Sequence, residues 1–283
     1  MTWTFTEDLT AYLDAAGAAV AAEPVPNTLL RTTADGLRRR GPQAFGSGTP
    51  FFGWWTGPDG AVAAGLVCTP PNPLLVGALP AEALAALADV LHTEPLLAGV
   101  AGFNGRRADA RVLAEAWGRP VDIEENRLFR LGTLVAPSPA PAGAARPATE
   151  EDLPLLLEWL AAFAAEADTI TAGTTWVRDR LSYGGVLLWQ DAAGTPVSLA
   201  SFSRPLGGAA RVGPVYTPPG ARGHGYGAGS TYAATLGARA AGAAEVILFT
   251  DLANATSNRL YPRLGYVPVG ERSMVLARTT SVV

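Results

Sequence analysis

The chain has 283 residues, more than the roughly 100 to 200 of one ordinary domain, and 48% of them are hydrophobic against 16% charged. That supplies apolar material for real cores and excludes intrinsic disorder, while a net charge of −4 argues against a nucleic-acid partner, which asks for a basic surface. All 21 basic residues are arginine, so Schiff-base chemistry, a pyridoxal-phosphate lysine and a Walker-type phosphate lysine are excluded.

Taken in chain order, the pattern predicts helical stretches before residue 45, then a hairpin across Gly57-Pro58-Asp59-Gly60. A helix over 81–92, a strand over 96–103, a helix over 108–117 and a strand over 127–134 follow. A Pro/Ala run from Ala136 to Gly143 has no hydrophobic period, and the acidic sequence Thr149-Glu150-Glu151-Asp152 after it starts a helix. This gives a first domain over 1–136, a linker over 137–145 and a second domain over 146–283. In the second half we expect a helix over 152–165, two strands flanking the turn Asp191-Ala192-Ala193-Gly194, and a strand over 211–217. A Gly-rich loop then opens a helix to about residue 241, and a strand over 246–251, a helix over 256–263 and a last strand near Met274 complete the chain. The fold class is α/β, and the two halves read as copies of one unit.

No window reaches the roughly 18 to 20 apolar residues of a membrane span, and Glu7 and Asp8 stand where an export signal would be basic and apolar. A single cysteine, Cys68, suits a reducing compartment, so we expect a soluble cytoplasmic protein. His92 and His224, the only histidines, have no cysteine or carboxylate at ligand spacing, which predicts no metal site.

The chemistry concentrates between Val212 and Ala228. Pro214 has no N–H for a ladder, which implies an edge, a bulge or two strands parting. The loop after this strand admits three readings. It is a flexible connection; or, through Gly223-His224-Gly225-Tyr226-Gly227-Ala228, a permissive dinucleotide G-x-G-x-x-A; or a phosphate cradle at a helix N-terminus, where unpaired N–H groups and a partial positive charge meet. The dinucleotide pattern expects its first glycine directly after the strand, whereas Pro218 to Arg222 intervene here, and Glu245 precedes its strand rather than ending it.

Arg222-Gly223-His224-Gly225-Tyr226-Gly227, with Pro219 before it, resembles the R/Q-x-x-G-x-G/A motif of the GNAT superfamily of CoA-dependent N-acetyltransferases. A second segment, Asn254, Ser257, Leu260-Tyr261 and Gly265-Tyr266, resembles that family's N-x-x-A-x-x-L-Y-x-x-x-G-F, with Ser257 for the usual Ala and Tyr266 for Phe. The resemblance covers about residues 146 to 278 and implies a mixed twisted sheet flanked by helices, in two tandem copies. It implies that the backbone of Val215, Tyr216 and Thr217 meets the pantetheine arm of acetyl-CoA, that the N–H groups of Gly223, His224, Gly225, Tyr226, Gly227 and Ala228 hold its pyrophosphate with Arg222, that Asn254 bonds the pantetheine, and that Tyr261 protonates the departing thiolate. Tyr261 also reads as a core aromatic, and Asn254 as a helix cap.

Where some members of the family carry a catalytic Glu, five positions before the motif's Asn, this chain has Phe249. Asp251 lies two residues on, hence on the same strand face, and reads either as the base acting through a water or as a cap of the next helix. Glu166 and Asp168 sit where such domains place their acceptor loop, ready for a cationic amine or merely solvated, and His224 reads as a phosphate neighbour. The N-terminal half has no R-x-x-G-x-G; its nearest stretch, Gly102-Phe103-Asn104-Gly105-Arg106-Arg107, lacks the later glycines, so it reads as a degenerate copy without cofactor. Trp54 and Trp55, adjacent on a strand, point to opposite faces, so at least one belongs to the core. The expected activity is acetylation of a primary amine on a small molecule, with antibiotic modification or secondary metabolism in keeping with the acidic, two-domain chain. The alternatives are a non-catalytic acyl-CoA-binding or regulatory module and, third, a nicotinamide-dependent oxidoreductase.

Overall fold

The computed structural model describes residues 1–167 and 171–278. The described residues hold β1 (Thr2–Thr6), α1 (Leu9–Ala22), α2 (Thr28–Arg40), β2 (Phe51–Thr56), β3 (Val62–Cys68), β4 (Leu74–Val76), α3 (Ala81–Val90), β5 (Gly102–Arg106), α4 (Arg107–Trp117) and β6 (Val121–Leu131). The same order of element types then repeats in β7 (Ala144–Pro147), α5 (Leu153–Glu166), α6 (Thr174–Leu181), β8 (Val186–Gln190), β9 (Pro196–Phe202), β10 (Ala209–Tyr216), α7 (Tyr226–Ala240), β11 (Glu245–Asp251), α8 (Ala255–Arg263) and β12 (Tyr266–Ala277). Most expected elements lie within a few residues of these bounds. The strand expected over 96–103 is instead a 3-10 turn, Pro95–Leu97, followed by β5, because Pro95 fixes the chain in a turn. The short strands β1, β4 and β7, and the helix α6, have too few periodic residues to stand out in the sequence. No helix among the described residues is long and apolar enough to cross a membrane.

The compact units do not follow one cut in the chain. Unit 1 takes Met1–Leu128, Asp251–Ala253 and the chain from Gly270 on, whereas unit 2 takes Phe129–Thr250 and Asn254–Val269. The strand order in unit 1 is β1-β2-β3-β4-β5-β12, with β12 antiparallel to β5 from Arg272↔Arg106 to Leu276↔Gly102. In unit 2 it is β7-β8-β9-β10-β11, and of β6 only Phe129–Leu131 belongs to this unit. Both long last strands are divided between the units: β6 after Leu128 and β12 after Val269.

Both sheets are covered on two faces, as the period-two alternation of a strand requires. In unit 1, Phe51, Trp55 and Leu66 enter one core with Phe103 and Trp117, while their neighbours Phe52 and Val67 enter a second with Tyr12 and Leu30. Trp55 is buried and Trp54 half-buried on the opposite side. In unit 2, Leu187, Ala200, Phe202 and Val212 pack under α7 and α8, while Leu188, Leu199 and Tyr216 pack under α5 and α6.

Two local devices fix the edge of unit 2. At the start of α5 the Asp152 carboxylate takes both terminal nitrogens of Arg146, each at 2.7 Å, and the Thr149 N–H at 2.8 Å. The ion pair holds that carboxyl below the usual carboxylate range. The Pro/Ala stretch is seated on the unit rather than dangling: Trp189 donates its indole N–H to the Ala142 carbonyl at 2.9 Å, and Ala144–Pro147 pairs with β8.

Gly265, between α8 and β12, has φ +91°, and a Cβ there would fall 1.7 Å from the Thr133 carbonyl oxygen. Gly265→Ala is therefore expected to cost more than about 2 kcal/mol, whereas Gly220→Ala, in open space without a positive φ, stays within about 0.5 kcal/mol. Urea denaturation of the two variants checks this, and equal stabilities would refute it.

Candidate active site

β10 is shared between two neighbours only along its first half. Its parallel ladder with β11 runs from Ala209↔Glu245 to Val212↔Leu248 and ends there. On the other side it stays paired with β9, from Val212↔Phe202 to Val215↔Ala200 and Tyr216↔Leu199, with one extra residue inserted between Val212 and Val215. Gly213 and Pro214 together oppose the single residue Ser201 there, with Gly213 at φ +133°. Pro214 has no N–H to offer, and the Gly213 carbonyl turned out of the ladder accepts a hydrogen bond from the Ser201 hydroxyl at 2.7 Å. The bulge and the parting expected at Pro214 both occur, and β10 carries Val215 and Tyr216 beyond its last partner on β11.

The chain then turns through Pro219–Ala221 into Arg222, Gly223, His224 and Gly225, and α7 begins at Tyr226. Gly223 (φ +85°) and Gly225 (φ +80°) adopt a backbone that L side chains rarely take. Gly225 is the N-cap and has no side chain to cap the helix, so the Tyr226 and Gly227 N–H groups have no intrahelical acceptor. The Ala228 N–H, expected among the phosphate donors, is instead committed to the Gly225 carbonyl at 3.0 Å, because the first turn closes on itself there. α7 lies close to the sheet because its facing residues are small: a Cβ on Gly229 would fall 2.7 Å from the Trp189 ring, and one on Gly237 2.8 Å from Phe202.

Arg222 points neither at the helix end nor into open solvent. Its Nη2 lies 2.8 and 2.7 Å from the two Glu166 carboxylate oxygens, and its Nε donates to the Thr217 carbonyl at 2.9 Å. Both partners are about half exposed, so the pair contributes little to stability. The buried Tyr216 hydroxyl faces the same carboxylate at 3.4 Å, and burial first, then Glu166, raises its pKa. His224 is exposed and stacks on the Tyr226 ring at 5.5 Å. Asp168 lies outside the described residues.

At the end of β11, Asp251 accepts the Ala253 N–H at 2.8 Å and so closes a turn. Asn254 is the N-cap of α8 and accepts the Ser257 N–H at 2.9 Å. Tyr261, 6% exposed, packs edge-on against Phe129 and Tyr266 at 6.0 and 6.1 Å. Burial raises its hydroxyl pKa above the ordinary 10.0, opposed by a hydrogen bond with Ser257.

Sequence reasoning passed over Ser198, which is fully buried and bonds Tyr216, Thr217 and Ser230 at once. The signal was there: a serine in an otherwise apolar strand, and a helix whose buried side carries Ser230, Thr231 and Thr235. In unit 1 the topological counterpart of the Gly-rich loop is Gly77 to Pro80, between β4 and α3, not the Gly102-to-Arg107 stretch, which runs from β5 into α4. The undetected β4 caused that misassignment. Beside β4 the buried Arg272 guanidinium donates to the carbonyls of Val76 at 3.2 Å and Asn104 at 2.9 Å.

Residues 153–266 match the model of the Acetyltransferase (GNAT) family. Solved structures share the fold along nearly the whole chain. A GNAT-family acetyltransferase from Colwellia psychrerythraea is 12% identical over 98% of this chain and 100% of its own, with a TM-score of 0.62. GCN5-related N-acetyltransferases from Sphaerobacter thermophilus (16% identity, 96% and 94% covered, TM-score 0.58) and Kribbella flavida (21%, 95% and 97%, TM-score 0.58) are similar to the same extent. No curated protein matches the chain in sequence. The parted strands and the glycine turn at the helix end both lie within residues 153–266, the segment that matches the Acetyltransferase (GNAT) family model.

Proposed function

We propose that the protein transfers the acetyl group of acetyl-CoA to a primary amine of a small molecule, directly and within a ternary complex. The observation that carries this reading is the opening between β10 and β11 past Val212↔Leu248, which leads from the sheet to the N-terminus of α7. An extended arm with amides suits the unpaired edge of β10 at Val215 to Thr217, and a pyrophosphate suits the uncapped turn from Gly223 to Gly227. Arg222 would join the pyrophosphate by leaving or sharing Glu166, and the Asn254 amide nitrogen would meet the pantetheine, since its oxygen caps α8. Unit 1, with one glycine in its counterpart loop and Arg272 beside β4, supplies no second acyl-donor site in this reading.

In the transfer the amine nitrogen bonds to the thioester carbonyl carbon, the carbon–sulfur bond breaks, the amine loses a proton and the thiolate gains one. Tyr261 is the proposed donor of that last proton. A phenol of ordinary pKa 10.0 is already protonated at neutral pH, the state a donor requires, and burial raises that pKa. Asp251 is the proposed acceptor of the amine proton, on the strand alternation that puts it on the side of Phe249.

Release of free thiol from acetyl-CoA, followed across a panel of primary amines, tests the activity, and no release above the amine-free rate would contradict it. Tyr261→Phe is expected to lower kcat on the order of 10- to 1,000-fold with little change in the acetyl-CoA KM. Full activity in that variant would make Tyr261 a packing residue. Asp251→Asn is expected to reduce kcat/KM chiefly at low pH, where the amine must lose a proton, and to recover as pH rises. A constant mutant-to-wild-type ratio across about pH 6 to 10, with unchanged Tm, would leave Asp251 as the turn cap alone.

A second reading, acyl-CoA binding without turnover, draws on Phe249 in the base position and on Asp251 already engaged by Ala253. Binding of acetyl-CoA without thiol release would favour it.

A further inference from the structure

Ser198 stands on β9 one step past the Leu199↔Tyr216 pair, with 0% of its surface exposed. Its Oγ lies 3.0 Å from the Tyr216 carbonyl oxygen, 2.9 Å from Thr217 Oγ1 and 2.9 Å from Ser230 Oγ. A hydroxyl has one proton and two lone pairs. The carbonyl can only accept, so the Ser198 proton goes to Tyr216, and its lone pairs are left for Thr217 and Ser230. The Gly227 carbonyl, 3.3 Å from Ser230 Oγ and 2.7 Å from Thr231 Oγ1, is a second acceptor for Ser230, and the Thr217 proton does not depend on which of the two Ser230 uses. With the Ser198 proton on Tyr216, Thr217 has spent its only proton inward.

We infer that Ser198 is a positioning residue for the acyl donor: it fixes the Thr217 hydroxyl as an acceptor at the mouth of the β10–β11 opening, where it takes an amide N–H of the pantetheine arm and turns away phosphoryl oxygen. The inference rests on the acetyl-CoA reading above. Two oxygens that both present lone pairs repel, so a phosphate would not settle on Thr217 and is left to the glycine turn beyond it. Gly227 keeps the approach to Thr217 narrow but open, since a Cβ there would stand 3.4 Å from Thr217 Oγ1. Ser198 thus sets the register of the donor along the opening, amide at Thr217 and pyrophosphate further on.

Two probes separate the ends of the ligand: acetyl-CoA, which has amides and phosphates, and adenosine 3′,5′-bisphosphate, which has phosphates only. Calorimetry is expected to show acetyl-CoA binding weakened about 3- to 10-fold in both Thr217→Val and Ser198→Ala, with bisphosphate binding unchanged and Thr217→Ser close to wild type. Adding Ser198→Ala to Thr217→Val should weaken acetyl-CoA little further, because Ser198 acts through Thr217. Equal weakening of both probes, no weakening, or additive losses would overturn the inference while leaving the acetyl-CoA reading in place. Wild-type protein that fails to bind acetyl-CoA would overturn the reading and the inference together. If Ser198→Ala does not fold, the contrast between Thr217→Val and Thr217→Ser decides: equal affinities of these two variants for acetyl-CoA would overturn the inference.

Discussion

Pro214 has no amide hydrogen, and the site in unit 2 depends on how β10 accommodates that lack. The strand cannot continue a regular ladder through Gly213-Pro214, so it inserts an extra residue against β9 and leaves β11 after Val212. Ser201 satisfies the displaced Gly213 carbonyl, and Ser198 satisfies that of Tyr216, so the backbone that loses its neighbour on one side is held on the other. The small residues of α7 then let the helix lie close to β8 and β9, with its uncapped N-terminus just past the end of β10. Strand parting, a hydroxyl cluster and a glycine-lined helix end thus come together at the end of β10.

The repeat was legible at the level of elements, since both halves show alternating apolar strands and amphipathic helices in one order. The pairing of the last strands was not. β6 and β12 have similar local patterns, and which strand each one pairs with is a contact between residues far apart in sequence, such as Arg272 and Arg106, that no local period encodes. β4, three residues long after a run of prolines, left no period to read either, and missing it shifted the comparison of the two loops by one strand and one helix.

In the candidate site, residues that act through backbone conformation were readable: glycines at a helix start, proline in a strand, asparagine before a helix. Residues that act through side-chain partners were not. Arg222 and Glu166 are 56 positions apart, and nothing in either segment signals the pair, in which one guanidinium nitrogen meets both carboxylate oxygens. Tyr261 shows the same limit from the other side. Its place in the sequence suggests a proton donor, while its surroundings, Phe129 and Tyr266 edge-on and 6% exposure, are those of a core residue whose hydroxyl stays protonated. The two descriptions are compatible only if the hydroxyl reaches the sulfur from within the apolar wall.

Hydrogen–deuterium exchange of the whole chain with and without acetyl-CoA reads the backbone amides of the β10 end and the α7 turn, which the donor is proposed to engage. Slower exchange is expected in peptides spanning Val215 to Gly227, with no change along β1 to β4 of unit 1. Unchanged exchange between Val215 and Gly227 under saturating acetyl-CoA, or protection confined to Gly77 through Pro80, would contradict that proposal.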